Sequence, residues 1–314
     1  MKNNPEKITL KDATLREGLD TPTVTFSITQ KLKISIRLYK AGIPEIEVVA
    51  PGQVQRDLEF VKRLKTTKLK IKTSGLVYAH QDSCEQDIND VSRYLDRFDL
   101  LMPISEKRKP HDRNAKIDRI SEMVSYALDG HSDVGVGFPN ATQTESSFLL
   151  RIVEQCDSLG VRRVTIYDTN GRADPFEIFD LMKKIREKCR SPIFFHGHND
   201  LGLATANSLA AVYAGANGLD VTVNGLGDRA GNASLEQVAL CLHQKGFYTG
   251  IALTKLRGLS KLVAQESGVQ ISKLSPVVGE YIFKHKSPGH LDNLELFEAY
   301  SPDLIGVKRK VTKR

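Results

Sequence analysis

Cysteine is scarce and scattered. The chain has four, Cys84, Cys156, Cys189 and Cys241, and none stands in a C-x-x-C pair. That argues against a zinc knuckle or a disulfide framework and fits reduced thiols in the cytoplasm. No apolar run approaches the roughly 20 residues that span a bilayer. The opening Met1-Lys2-Asn3-Asn4-Pro5 lacks the hydrophobic stretch of a secretory signal. A cytoplasmic location with no membrane partner is therefore expected. No G-x-G-x-x-G follows the first β-rich run, which disfavours the dinucleotide-binding form of an open α/β sheet. No basic stripe interleaved with aromatics occurs, so nucleic acid is not an expected partner. Low-complexity linkers are missing as well.

What is present is regular. The 314 residues are 40% hydrophobic and 26% charged, close to the globular average. Short β-rich runs recur about every 30 residues, the length of one βα unit. They are Ile8–Leu10, Ile46–Val49, Leu69–Lys72, Leu100–Met102, Val134–Gly137, Val164–Tyr167, Ile193–Phe195 and Leu219–Val223. Amphipathic stretches with helical spacing lie between them, for example Phe148-x-x-Arg151-Ile152-Val153-x-x-Cys156. Eight alternations predict an α/β fold, a (β/α)₈ TIM barrel over residues 1–250. Helices are predicted over Leu235–Gln244 and Leu253–Glu266. Residues 251–314 read as a short helical and irregular C-terminal subdomain. The formal charge of +7, with a basic tail at Lys308-Arg309-Lys310 and Lys313-Arg314, suits solubility.

In such a barrel the chemistry sits at the C-terminal ends of the strands. Strand one ends in Asp12-Ala13-Thr14-Leu15-Arg16-Glu17-Gly18, strand six in Tyr167-Asp168-Thr169-Asn170-Gly171, and strand seven in His196-Gly197-His198-Asn199-Asp200. Residues two apart on a strand share a face, so His196 and His198 can meet one ion. Asp12, a hard carboxylate from strand one, completes a mixed nitrogen and oxygen site. Mg²⁺, Mn²⁺, Zn²⁺ and Co²⁺ all suit such a site. Arg16 and Glu17, just past Asp12, are candidate catalytic residues; the Arg16 fork suits a carboxylate or a developing enolate oxygen. Strand eight ends in Asn224–Asn232, where Gly225, Gly227 and Gly231 let backbone approach a ligand closely.

Together these segments resemble the DRE-TIM metallolyase superfamily, in its 2-isopropylmalate, homocitrate and citramalate synthase branch. Asp12–Gly18 looks like the opening motif. His196–Asp200, continued by Leu201-Gly202-Leu203-Ala204, looks like the strand-seven signature. Gly225–Asn232, continued by Ala233-Ser234-Leu235-Glu236, looks like that of strand eight. His285-Lys286-Ser287-Pro288-Gly289-His290-Leu291-Asp292 is similar to the segment that follows the barrel in the synthases. The resemblance covers nearly the whole chain. It implies that Asp12, His196 and His198 hold the metal and that Asn232 contacts it. Arg16 would steady the 2-oxo group, and Thr169 would contact the substrate carboxylate. His290 would be the histidine that the synthases bring from their C-terminal segment, often across a dimer interface, so a homodimer is expected. The implied reaction is a Claisen condensation of acetyl-CoA with a metal-chelated 2-oxo acid, releasing CoA and a tertiary hydroxy acid. The positive charge would favour the phosphates of the CoA.

Departures from the pattern also mark residues. The family continues its opening motif with Glu-Gln, where this chain has Leu19-Asp20. After strand five it carries a Glu-Asp-Ala-x-Arg-like segment, where this chain has Phe138-Pro139-Asn140-Ala141-Thr142-Gln143-Thr144-Glu145. Both segments line the family's substrate pocket, so Asp20, Asn140 and Gln143 are candidate substrate-binding residues. The chain ends near where the leucine-regulated synthases begin their allosteric domain, so feedback of that kind is not expected. The nearest rival is a lyase like 3-hydroxy-3-methylglutaryl-CoA lyase. That branch carries a cysteine in its strand-eight loop, and Asn224–Asn232 has none. An aldolase of the superfamily and a non-catalytic metal-binding barrel are further alternatives; the intact set of Asp12, Arg16, His196, His198 and Asn232 argues against the latter.

Overall fold

Eight short strands alternate with eight helices: β1 (Thr9–Asp12), α1 (Ile28–Lys40), β2 (Glu45–Val49), α2 (Val54–Lys65), β3 (Lys72–Tyr78), α3 (Cys84–Ser92), β4 (Arg97–Leu101), α4 (Arg113–Gly130), β5 (Val134–Phe138), α5 (Ser146–Ser158), β6 (Val164–Asp168), α6 (Pro175–Lys188), β7 (Ile193–Gly197), α7 (Ala204–Tyr213), β8 (Gly218–Val221) and α8 (Leu235–Gln244). This computed structural model describes residues 6–105 and 113–309; the first five residues and the end of the basic tail, from Lys310, lie outside them. Each strand pairs in parallel with the next. β8 closes on β1 with Thr9 opposite Gly218 and Asp12 opposite Val221, so the sheet is a closed barrel rather than an open sheet.

The helices form where the sequence offers an apolar stripe and a start signal. Ile34 and Leu38 of α1, Leu58 and Val61 of α2, and Phe148, Ile152 and Val153 of α5 are buried at helical spacing. Ser27 and Gln30 form a capping box at α1, and Asp174 and Glu177 form another at α6, with Pro175 in its first turn. The outward strand faces, including Ile46, Val48, Val136, Ile166 and Leu219, join these stripes in one core.

The third strand departs from the sequence expectation. Leu69–Lys72 was the apolar run, but Lys68 takes a positive φ of 57° in the turn after α2, and pairing begins only where Lys72 meets Glu45. The strand runs through Thr73 and Ser74, both buried. These two polar residues hide its start from a hydrophobicity pattern: Ser74 faces a polar interior, and Thr73 Oγ1, on the other face, donates to Asp96 Oδ2 at 2.8 Å.

That interior is ionic where most barrels are filled by branched apolar side chains. Arg163 is fully buried. Its Nε lies 3.1 Å from Asp99 Oδ2 and its Nη1 2.9 Å from Glu45 Oε1. A side chain at Gly135 would collide with Asp99, so that glycine leaves room for the ion pair. Buried charges survive only when paired. Arg163→Met is expected to destabilise the protein by about 3–5 kcal/mol, by stranding Asp99 and Glu45. A lowered urea midpoint with an unchanged slope would register it.

After the barrel, α9 (Leu253–Ser267) packs against α1 and the loop after β8. Gln30 Nε2 donates to the Glu266 carbonyl at 3.2 Å, and Asn224 Nδ2 donates to the Ser260 carbonyl at 3.0 Å. The short helices α10 (Pro288–Asp292) and α11 (Leu294–Phe297) follow. No helix among the described residues is long and apolar enough to cross a membrane.

Candidate metal centre and substrate cavity

β7 delivers His196, and the turn after it delivers His198; both are buried. Their Nε2 atoms lie 3.3 Å apart. Glu17 joins them from the 3₁₀ turn after β1: its Oε1 is 3.4 Å from His198 Nε2 and its Oε2 3.9 Å from His196 Nε2. One ligand atom from each of the three lies within 4.8 Å of the others, a spacing that could hold a metal ion.

The charge states suit a cation. Burial pushes the His196 imidazolium down from its ordinary value, against the pull of Asp220. Burial, then His196, Arg229 and Arg16, pushes His198 down to about 2. Both rings are therefore neutral near pH 7. Asp220 Oδ2 lies 3.0 Å from His196 Nδ1. A carboxylate there holds the proton on Nδ1 and leaves the Nε2 lone pair facing Glu17 and His198. Asn232 Nδ2 lies 3.0 Å from the same Nε2, while Asn232 Oδ1 and His198 Nδ1 are buried with no hydrogen-bond partner. Neutral imidazoles, a carboxylate and an orphaned amide oxygen form a donor set that fits a divalent metal.

Arg16 stands beside this cluster. Its Nε donates to Glu47 Oε1 at 2.6 Å, and its Nη1 pairs with Glu17. Burial alone would raise Glu47, but Arg16 and then Lys11 outweigh it and hold that carboxyl well below its usual range. The guanidinium thus faces a cavity of about 860 Å³ with its plane already fixed.

Arg16, Glu17, Asp20, Asn140, Gln143, Thr169, His196 and His198 all line this cavity, so most of the residues singled out from sequence come together. Thr169 Oγ1 accepts from the Asn140 backbone N–H at 2.8 Å, tying the strand-six loop to the strand-five loop. Gln143 Nε2 is buried without a partner, an unspent donor in the wall. A larger groove, of about 1090 Å³, lies at the other end of the barrel among Arg97, Asp133, Arg162 and Lys188. It holds none of these residues.

Residues 7–263 match the protein family described as HMGL-like. The chain belongs to the HMGL-like family. It is similar to a protein of Archaeoglobus fulgidus named "Probable 2-isopropylmalate synthase", 35% identical over 311 residues that make up 96% of this chain and 61% of that protein. The chain thus spans about three-fifths of that relative's length. It is also similar to Homocitrate synthase 1 of Nostoc sp., 31% identical over 97% of this chain and 82% of that one. Among solved structures, the HMG-CoA lyase of Bacillus subtilis superposes with a TM-score of 0.75 at 18% identity, covering 88% of this chain and 98% of that chain. That likeness speaks for the fold alone.

Two residues singled out from sequence stand away from this cluster within the chain. The carboxylate that joins the histidines is Glu17 rather than Asp12. Lys11 points into the barrel, so its neighbour Asp12 points to the opposite face of the strand. There Asp12 accepts from the Thr14 backbone N–H at 3.0 Å and from Thr14 Oγ1 at 2.9 Å. Burial raises its carboxyl to about 7 against those two bonds. His290, on α10, does not line the cavity of its own chain; its ring stacks on Phe297 at 4.0 Å, and its Nδ1 lies 3.3 Å from His285 Nδ1.

Lys11, Glu47 and Asp220 were missed by the sequence reading. The signal for Glu47 and Asp220 is a charged residue between apolar strand neighbours, repeated at alternate positions in Glu45-Ile46-Glu47 and single in Leu219-Asp220-Val221.

Proposed function

We propose that this chain catalyses a metal-dependent Claisen condensation of acetyl-CoA with a 2-oxo acid, followed by hydrolysis of the thioester by water, an acyl transfer that yields a 2-alkylmalate-type tertiary hydroxy acid and free CoA. The observation that carries this reading is the convergence of Glu17 and two neutral imidazoles beside the pinned guanidinium of Arg16, at the mouth of a cavity sized for small substrates. Relatives named as 2-isopropylmalate and homocitrate synthases support it.

In this reading His196, His198 and Glu17, with Asn232 beside them, hold the divalent metal. The ion supplies Lewis acidity and a template for the 2-oxo group. Arg16 places positive charge where the oxyanion develops, and Glu47 keeps its guanidinium from turning away. Thr169 and Gln143 offer donors to the substrate carboxylate or its far end, and Asn140 and Asp20 shape that end. The test is release of CoA thiol from acetyl-CoA with Mn²⁺ and a panel of 2-oxo acids. Metal binding with no thiol release from any acid would favour a non-catalytic barrel.

The reading extends to a cytoplasmic homodimer in which His290 of the partner subunit reaches the cavity. Leu296 and Phe297, exposed on α11 beside His290, support an apolar contact there. His290→Ala is expected to lower turnover about 10²-fold or more, in the range of a lost proton-transfer group, while Mn²⁺ affinity measured by calorimetry stays near normal. Loss of metal binding in that variant would contradict the placement of His290.

A further inference from the structure

The barrel interior holds a chain of charges beneath the metal cluster. Lys11 on β1, Asp220 on β8 and His196 on β7 occupy one row of the sheet: Lys11 is in register with Asp220, and Asp220 with His196. Lys11 Nζ lies 3.0 Å from Asp220 Oδ2, the same oxygen that lies 3.0 Å from His196 Nδ1. On its other side the ammonium donates to Glu47 Oε2, while Glu47 Oε1 accepts from Arg16 Nε at 2.6 Å. The side chains of Lys11, Glu47 and Asp220 are at most 1% exposed.

We infer that Lys11 is a positioning residue that fixes, through two separate carboxylates, both the guanidinium of Arg16 and the tautomer of His196. An ammonium has three donors and no acceptor, so it can hold two carboxylates at once without competing for their partners. Each carboxylate then has one further task. Asp220 keeps the proton on His196 Nδ1, and Glu47 keeps the Arg16 fork in plane. A neutral side chain at position 11 leaves two buried carboxylates near one another with their shared cation gone. Each then becomes free to turn away from the side chain it orients. The backbone register makes the arrangement rigid, because Lys11, Glu47, Asp220 and His196 all stand on strands, and Arg16 follows β1 in the turn that opens the 3₁₀ segment.

This inference rests on the metal-centre reading for its consequence, though its structural part can be measured without metal. The experiment compares the full-length wild-type chain with Lys11→Met, a neutral side chain of similar length. Imidazole ¹⁵N NMR of the metal-free proteins reads the His196 tautomer, and calorimetry with Mn²⁺ reads affinity. The wild type is expected to hold the proton on Nδ1. Lys11→Met is expected to lose that preference and to bind Mn²⁺ about 10- to 100-fold more weakly, the range seen when a partner behind a metal-binding histidine is removed. Adding Asp220→Asn to Lys11→Met should weaken binding little further, since the two act in series. A folded Lys11→Met with wild-type tautomer and wild-type affinity overturns the inference, as does a fully additive double variant. If Lys11→Met does not fold, Asp220→Asn alone takes its place, and unchanged affinity there overturns the relay. A wild type that binds no Mn²⁺ sinks the metal reading instead, and the tautomer comparison alone then decides the role of Lys11.

Discussion

Alanine at His196 or at His198 is expected to abolish turnover and to weaken divalent-metal binding by more than about 100-fold, a larger loss than that for a partner behind a ligand. The two Nε2 atoms stand 3.3 Å apart and share Glu17 as their carboxylate neighbour. Removing either ring leaves too few donors to strip a metal of its water. The fold should survive, because β7, which carries His196 and leads into the turn of His198, pairs with β6 and β8 through backbone bonds that neither ring makes. Calorimetry with Mn²⁺, thiol release from acetyl-CoA and far-ultraviolet circular dichroism together give the answer. Full activity in either variant would remove the metal centre from this position.

Glu17→Gln and Asp12→Asn should behave oppositely. Each keeps the size of the side chain and removes the charge. Glu17→Gln takes from the cluster the carboxylate that faces both Nε2 atoms and is expected to cost about 100-fold or more in Mn²⁺ affinity, with turnover falling in step. Asp12→Asn should leave affinity nearly normal and change stability instead. The Asp12 carboxyl sits at about 7 in the folded protein, against about 3.9 in an unfolded chain. Between those values the folded protein keeps a proton that the unfolded chain has released. Stability from this group is thus fully present below about pH 4 and is lost as pH rises through about 7. The loss amounts to as much as roughly 4 kcal/mol, at 1.36 kcal/mol per unit. Urea unfolding of the metal-free protein at about pH 5 and about pH 8 should show that slope in the wild type and a flatter one in Asp12→Asn. If Asp12→Asn loses the metal while Glu17→Gln keeps it, the carboxylate ligand belongs at the end of β1 after all.

Those two residues also show where sequence reasoning worked and where it stopped. The rule that alternate strand residues share a face paired His196 with His198, and the structure brings both rings to one point. Applied to β1, the same rule separates Asp12 from Lys11. Which of the two faces the barrel axis, however, depends on Glu47 and Asp220 on the neighbouring strands. Glu17 lies beyond the strand, where alternation says nothing, and the 3₁₀ turn over Glu17–Asp20 brings it back to the mouth. The third strand was misplaced for a related reason. Ser74 faces the polar interior beside Glu45, while Thr73, on the opposite face, donates to Asp96, so neither gives an apolar signal where the strand begins.

By itself the sequence determined the eightfold βα rhythm, the ends of most strands and the family. Each of these depends on local spacing or on contiguous motifs, such as His196-Gly197-His198 and Asn224–Asn232. Only the tertiary structure decided which carboxylate meets the histidines, that Lys11 links Arg16 to His196, and that His290 stands away from its own cavity. The physical reason is that barrel closure sets the neighbours of an inward side chain. Lys11 and Asp220 are more than 200 residues apart in sequence and become partners only when β8 hydrogen-bonds to β1.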